Sequence, residues 1–63
     1  MNERMAELNK VLQEVQQLEQ ERDESAERFR AAKRDGKQIL ADLYNEKAKQ
    51  IEGIISDLRA KLD

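Results

Sequence analysis

The apolar positions of this chain form two rows with helical spacing, and the two rows are out of phase. The first row recurs every three or four positions and consists of Leu8, Val11, Val15, Leu18, Arg22, Ser25, Phe29 and Ala32. Continued beyond Ala32 at the same spacing, this row is no longer an apolar stripe. Its next positions would be Gly36, Ile39, Leu43, Glu46, Gln50, Gly53 and Asp57. A second row replaces it: Ala41, Tyr44, Ala48, Ile51, Ile55, Leu58 and Leu62. Such spacing is typical of amphipathic α-helices, and one continuous rod would be expected to keep a single phase.

The change of phase falls at residues 33–37, which contain the turn-forming pair Asp35 and Gly36. We therefore predict an all-α fold, an antiparallel hairpin of two long helices in a single domain over residues 1–63. Helix 1 is expected over about 3–34, the turn over about 34–37, and helix 2 over about 36–62. Asn2 is a good N-cap for helix 1. Asp35 and Gln38 have the spacing of a capping box for helix 2, and Gly36 is either the first residue of helix 2 or a left-handed C-cap of helix 1.

Folding the chain about Gly36 and Lys37 places the two rows in register. The aligned pairs are Val11 with Leu62, Val15 with Leu58, Leu18 with Ile55, Arg22 with Ile51, Ser25 with Ala48, Phe29 with Tyr44, and Ala32 with Ala41. A shift by one heptad would move the fold point to Lys33, which lacks turn chemistry. The first register is therefore preferred.

Each stripe is wider than a two-stranded coiled coil requires, because apolar residues such as Leu12 and Ile54 flank the rows. A wide stripe faces more than one neighbour, and a chain of 63 residues has little core of its own. We predict that two hairpins pair as a homodimer, in a four-helix bundle or coiled coil. The side chains expected in the core or the oligomer interface are Leu8, Val11, Leu12, Val15, Leu18, Phe29, Leu40, Leu43, Tyr44, Ile51, Ile54, Ile55, Leu58 and Leu62.

The composition agrees with long helices: 41% of residues are charged, 38% are hydrophobic and none is proline. With only Phe29 and Tyr44 as aromatics, a β-sandwich or barrel is excluded. No cysteine is present, which is compatible with a reducing compartment. No apolar run has the length of a membrane span. We expect a cytoplasmic protein without membrane contact.

Charge is unevenly distributed along the chain. Residues 1–27 carry eight acids against three bases, a net of −5, and residues 28–37 carry five bases against one acid, a net of +4. The preferred interpretation is that these cations offset the helix dipole at the end of helix 1. The alternative is a contact with an anionic partner such as a nucleic acid, which the net negative body and the lack of stacking aromatics disfavour. The candidate contact residues are Arg28, Arg30, Lys33, Arg34 and Lys37.

Two single residues have alternative interpretations. Arg22 lies on the inner row, where it either extends past its neighbours to water or pairs with an acid of another helix and fixes the alignment. The first interpretation is preferred because it requires no partner. Gly53 lies inside helix 2, where it marks either a close helix–helix approach or a suboptimal surface position.

The chain lacks the usual residues of an active site. Histidine, cysteine and tryptophan are absent, and neither Ser25 nor Ser56 has a side-chain base to activate it. A two-layer hairpin also has no cleft in which paired carboxylates could act. We predict that the protein is not an enzyme and has no catalytic residues, metal site or cofactor.

The remaining function is an interaction with other molecules. The preferred hypothesis is a non-enzymatic protein–protein interaction module, a small adaptor, inhibitor or assembly factor that acts as a homo-oligomer on an unidentified protein partner. One alternative is a small nucleic-acid-binding bundle that uses the basic turn region from Arg28 to Lys37. The other is a purely structural oligomerisation segment.

Overall fold

The computed structural model describes residues 3–62 and shows a hairpin of two antiparallel α-helices. Helix α1 spans Glu3–Arg34 and helix α2 spans Gln38–Ala60. The Cα trace measures 53 × 15 × 12 Å, whereas 60 residues in one straight helix would extend about 90 Å at 1.5 Å per residue. The predicted helical hairpin is confirmed. The proposed N-cap, Asn2, lies outside the described residues.

The turn between the helices is a Schellman motif. Gly36 has a φ of 73°, a left-handed conformation that glycine adopts without a Cβ clash. The backbone N–H of Lys37 donates to the carbonyl of Ala32 at 2.8 Å, and that of Gly36 donates to the carbonyl of Lys33 at 3.1 Å. These two bonds satisfy carbonyl groups at the end of α1. Gly36 is therefore the C-cap glycine of α1 rather than the first residue of α2.

The predicted capping box of Asp35 and Gln38 is wrong. Asp35 still belongs to the end of α1, since its N–H donates to the carbonyl of Ala31 at 3.0 Å. The N-cap position of α2 is taken by Lys37, whose side chain caps none of the described α2 amides. The Gln38 side chain instead donates to Asp42 at 2.8 Å. Because the Schellman motif uses Asp35 to terminate α1, its carboxylate is two residues before the N-cap position of α2 and cannot cap that helix.

The interior of the hairpin is built from the two rows. All fifteen row positions are buried or half-buried, and the most deeply buried residues of the described chain are Val15, Ser25, Ala32, Ala41, Ile51 and Ile55. Val15, Ile51 and Ile55 form the hydrophobic cluster, and Val11, Leu18 and Leu58 pack against it. Nearer the turn the buried residues are the small Ser25, Ala32 and Ala41, and Phe29 and Tyr44 are half-buried beside them. This core is small, because most of its members keep one side in contact with solvent.

Candidate interaction surface

The hairpin has two broad faces, and one of them is crossed by ion pairs. Arg22 Nη1 of α1 donates to Glu52 Oε2 of α2 at 2.8 Å, and Arg59 Nη2 lies 3.4 Å from Glu19 Oε2. Arg22 also donates to its neighbour Asp23 at 3.1 Å. We call this side, defined by Glu19, Arg22, Glu52 and Arg59, the ionic face. These contacts join the middle of α1 to the second half of α2, and at an exposed surface they stabilise the fold only modestly.

Arg22 does have a charged partner, and that partner is on the other helix of the same chain. Its hydrogen bonds with Glu52 and then with Asp23 raise the pKa of the guanidinium above its ordinary value, so the side chain stays charged throughout the physiological range. Both carboxylates are exposed, so the guanidinium does reach the surface of the hairpin, as the preferred interpretation requires. The pairing with Glu52 agrees with the alternative, in which the charge helps to align the helices.

The opposite side, which we call the groove face, is partly apolar. A shallow groove runs between the helices, and it is lined at mid-length by Glu14, Gln17, Leu18, Ile54 and Leu58. Towards the turn it is lined by Glu21, Glu24, Ser25, Arg28, Tyr44 and Lys47. Its helix α1 side is thus mostly polar, with three glutamates and one arginine, whereas its helix α2 side is mostly apolar with one lysine.

Helix α2 leaves an apolar strip uncovered on the groove face. The strip consists of Leu40, Leu43 and Ile54, which are 40%, 63% and 48% exposed. They recur at spacings of three and eleven residues, which keeps them on one side of a helix with 3.6 residues per turn. Near the turn, Leu40 and Leu43 line a common surface with Ile39, which is itself 80% exposed. Aliphatic side chains aligned in this way expose surface that a stable fold would normally bury.

The residues predicted for the core or the oligomer interface separate into two groups. Ten of them are buried or half-buried within the hairpin: Leu8, Val11, Val15, Leu18, Phe29, Tyr44, Ile51, Ile55, Leu58 and Leu62. Four are exposed: Leu12, Leu40, Leu43 and Ile54. Leu12 is on the side opposite to Ile54, since it lies two helical turns before Glu19 of the ionic face. One two-fold interface therefore cannot contain both Leu12 and Ile54.

The five cations near the turn are all exposed, and several contact other residues of the chain. Arg28 pairs with Glu24 at 2.9 Å, and the Tyr44 hydroxyl and this carboxylate raise the pKa of its guanidinium. Lys33 Nζ lies 5.8 Å from the centroid of the Phe29 ring, within the range of a cation–π contact. Arg34 Nε lies 3.9 Å from the Asp35 carboxylate. These contacts agree with a structural role for the cations, although all five remain accessible to an anionic partner.

Residues 3–62 contain no group of three acids that is arranged to hold a metal ion. Neither α1 nor α2, as described, combines the length and the apolar character that crossing a bilayer demands. Comparison of the chain with models of protein families, with curated proteins and with solved structures gives no match. The candidate site is therefore defined by the surface itself, and chiefly by the groove face.

Proposed function

We propose that this protein is a non-enzymatic protein–protein interaction module that acts as a homodimer of helical hairpins. It would serve as a small adaptor, inhibitor or assembly factor in the cytoplasm. The observation that carries the proposal is the apolar strip of Leu40, Leu43 and Ile54 on the groove face. Aligned aliphatic side chains favour association, because burying them removes apolar surface from water.

The size of the core supports self-association. The hydrophobic cluster contains Val15, Ile51 and Ile55 as its buried members, and domains of this size usually need a further source of stability. A second hairpin on the groove face would bury the strip and extend the core across four helices. The ionic face would then remain on the outside, together with Met5 and Leu12, which are 54% and 49% exposed. That outer surface is where a protein partner would bind.

Two matched substitutions test which face associates. Ile54 on the groove face and Leu12 on the opposite face are 48% and 49% exposed, so glutamate at either position disturbs the isolated hairpin to a similar degree. We expect Ile54→Glu to yield a monomer with a lowered melting temperature, because the charge would have to be buried on dimerisation. Leu12→Glu should remain dimeric.

Sedimentation equilibrium and thermal melts over a range of protein concentrations provide the measurement. The melting temperature of a dimer that is stabilised by association rises with concentration. A wild-type protein that is monomeric, with a melt independent of concentration, would defeat the proposal. Dissociation by Leu12→Glu rather than Ile54→Glu would transfer the interface to the ionic face.

A second candidate function, nucleic-acid binding at the turn, is favoured by the exposure of Arg28, Arg30, Lys33, Arg34 and Lys37. It is the weaker candidate because cations of this kind also stabilise the end of α1. A purely structural oligomerisation segment would use the same groove face, and would differ from the first proposal only in having no further protein partner.

A further inference from the structure

We infer that the second copy covers the groove face in the antiparallel sense, with α2 packed on α2 and the two turns at opposite ends of the bundle. This inference rests on the proposed homodimer, and it adds the orientation and the register of the two hairpins. It follows from the apolar strip, the charge along the hairpin and the positions of two groove-face charges.

Two hairpins that stack through the same face have two simple two-fold arrangements. If the two-fold axis runs along the hairpin, the turns lie together and each α2 covers α1 of the second copy. Residues at equal distances from the turn would then be stacked, so Leu40 and Leu43 would face the polar part of α1 near Arg28, and Ile54 would face the part near Glu21. If the axis runs across the hairpin, the turns lie apart and the two strips cover each other. The second arrangement buries apolar groups against apolar groups.

The charge along the hairpin favours the same arrangement. The turn region, residues 28–37, has a net charge of +4, whereas residues 1–27 have a net charge of −5. Stacking with the turns together would place the two basic regions within a Debye length, about 10 Å at 0.1 M salt, of each other. Antiparallel stacking places the basic region of each copy beside an acidic part of the other. Placing like charges together at an interface costs more free energy than favourable charge pairs at its rim contribute. Charge therefore acts mainly by disfavouring the wrong orientation.

The register follows if the two most exposed residues of the strip are placed opposite each other across the interface. Setting Leu43 of one copy opposite Ile54 of the other makes the arrangement symmetric, so these two residues cover each other twice per dimer, and Leu40 lies level with Asp57 of the second copy. It also brings Lys47 level with Gln50 of the second copy. The predicted register of the hairpin pairs Val15 with Leu58, which packs against the cluster that contains Val15, and this pairing fixes the levels of α1. Glu21 then lies opposite Arg28 of the second copy, twice per dimer.

The two criteria for this register are independent. Leu43 and Ile54 were aligned for apolar burial alone, whereas Glu21 and Arg28 line the groove face on α1. The alignment was chosen without reference to charge, and it nevertheless places Glu21 of each copy opposite Arg28 of the other. Complementarity of this kind contributes to the specificity of an interface.

Distances between spin labels at the turn test the orientation. The chain has no cysteine, so Asp35→Cys provides one labelling site per copy on an exposed turn residue. The two-fold axis lies about 12 residues from the turn, and two such lengths at 1.5 Å per residue give a label separation of about 36 Å. Stacking with the turns together would give less than about 20 Å, since neighbouring helices lie about 8–10 Å apart.

Charge exchange tests the register. Glu21→Arg should raise the dimer dissociation constant about tenfold, because it replaces two ion pairs by two repulsive contacts. Adding Arg28→Glu in the same chain should return the dissociation constant to within about threefold of the wild-type value, although the substitution also removes the pair of Arg28 with Glu24. Glu27→Arg, on the outward side of α1, is the matched control and should leave the constant unchanged.

The outcomes separate this inference from the proposed function. Absence of any dipolar coupling between labels at all concentrations would mean that no dimer forms, and both would fail. A short separation in a protein that sediments as a dimer would overturn the antiparallel arrangement and leave the homodimer intact. A separation near 36 Å without rescue by the double exchange would uphold the orientation and overturn the register.

Discussion

The two glycines of the chain occupy different backbone conformations. Replacing them by alanine should therefore change the stability of the hairpin in opposite directions. Gly36 has a φ of +73°, whereas Gly53 lies in regular α2 with no described atom within 4 Å of an added Cβ. Gly36→Ala should destabilise the hairpin by about 1–2 kcal/mol because it forces a Cβ into the left-handed region. Gly53→Ala should stabilise it by about 1 kcal/mol because glycine is a poor helix former.

Thermal unfolding followed by circular dichroism measures both effects. A change of 1 kcal/mol corresponds to about 4–8 °C in the melting temperature of a domain of this size. If Gly53→Ala instead lowered the melting temperature, another helix would have to approach α2 on its outer side. That result would support the alternative interpretation of Gly53 as a helix–helix contact.

Local signals at single residues were predicted less well than the rows. Two capping solutions overlap at the turn, since Asp35 has the spacing to cap α2 while Gly36 is suited to end α1 with a Schellman motif. The sequence contains both signals, and the structure adopts the one that satisfies the carbonyls of α1. Arg22 presented a different difficulty, because Glu52 is 30 residues away along the chain. Its pairing depends on the rotation of both helices, which no local pattern specifies.

At the scale of the helices, the sequence predicted the hairpin and the position of its turn well. Each row repeats over at least seven positions, so the phase of each helix is determined many times over. Pairing about Gly36 and Lys37 follows once those phases are known. The division into an ionic face and a groove face could not be predicted in this way. A row identifies the inward side of a helix, but the two flanks are distinguished only when both helices are placed together.

The buried alanines near the turn lead to a prediction about packing. Ala41 is completely buried and Ala32, on the facing helix, is 4% exposed. Ala41→Leu should destabilise the hairpin by about 1–3 kcal/mol, because the interior there has no room for three further carbon atoms. Ala60→Leu, at an exposed position of the same helix, should change stability by less than about 0.5 kcal/mol.

Urea unfolding of both variants measures this difference. The slope of the unfolding free energy with urea should match the wild type, since the surface exposed on unfolding hardly changes. Equal stabilities for Ala41→Leu and Ala60→Leu would show that the helices are farther apart near the turn than the buried alanines indicate.

At the scale of the whole molecule, the charge distribution bears on what the protein can bind. The overall charge is −2, since the basic turn region is outweighed by the acidic residues 1–27, and residues 38–63 carry five acids against four bases. A nucleic-acid duplex that contacted the turn would therefore meet repulsion along the rest of the hairpin. Arg30 and Lys33 extend this basic region towards the ionic face, because they follow Asp23 and Ala26 by two helical turns. The turn cations and the apolar strip are thus largely separate surfaces.

This separation leads to a prediction about the turn. Replacing Arg30, Lys33 and Arg34 by glutamate should leave the protein helical and dimeric, because each charge at the helix end contributes only about 0.3–1 kcal/mol. The wild type should show no low-micromolar affinity for RNA or DNA at about 0.15 M salt, where screening limits the attraction of five cations. Fluorescence anisotropy with labelled RNA and DNA over a salt series measures the affinity. Replacement of Lys10, Lys49 and Lys61 by glutamate changes the net charge equally and serves as the control. Micromolar binding that weakens steeply with salt, and that is lost in the turn variant but kept in the control, would make nucleic-acid binding the better function for this chain.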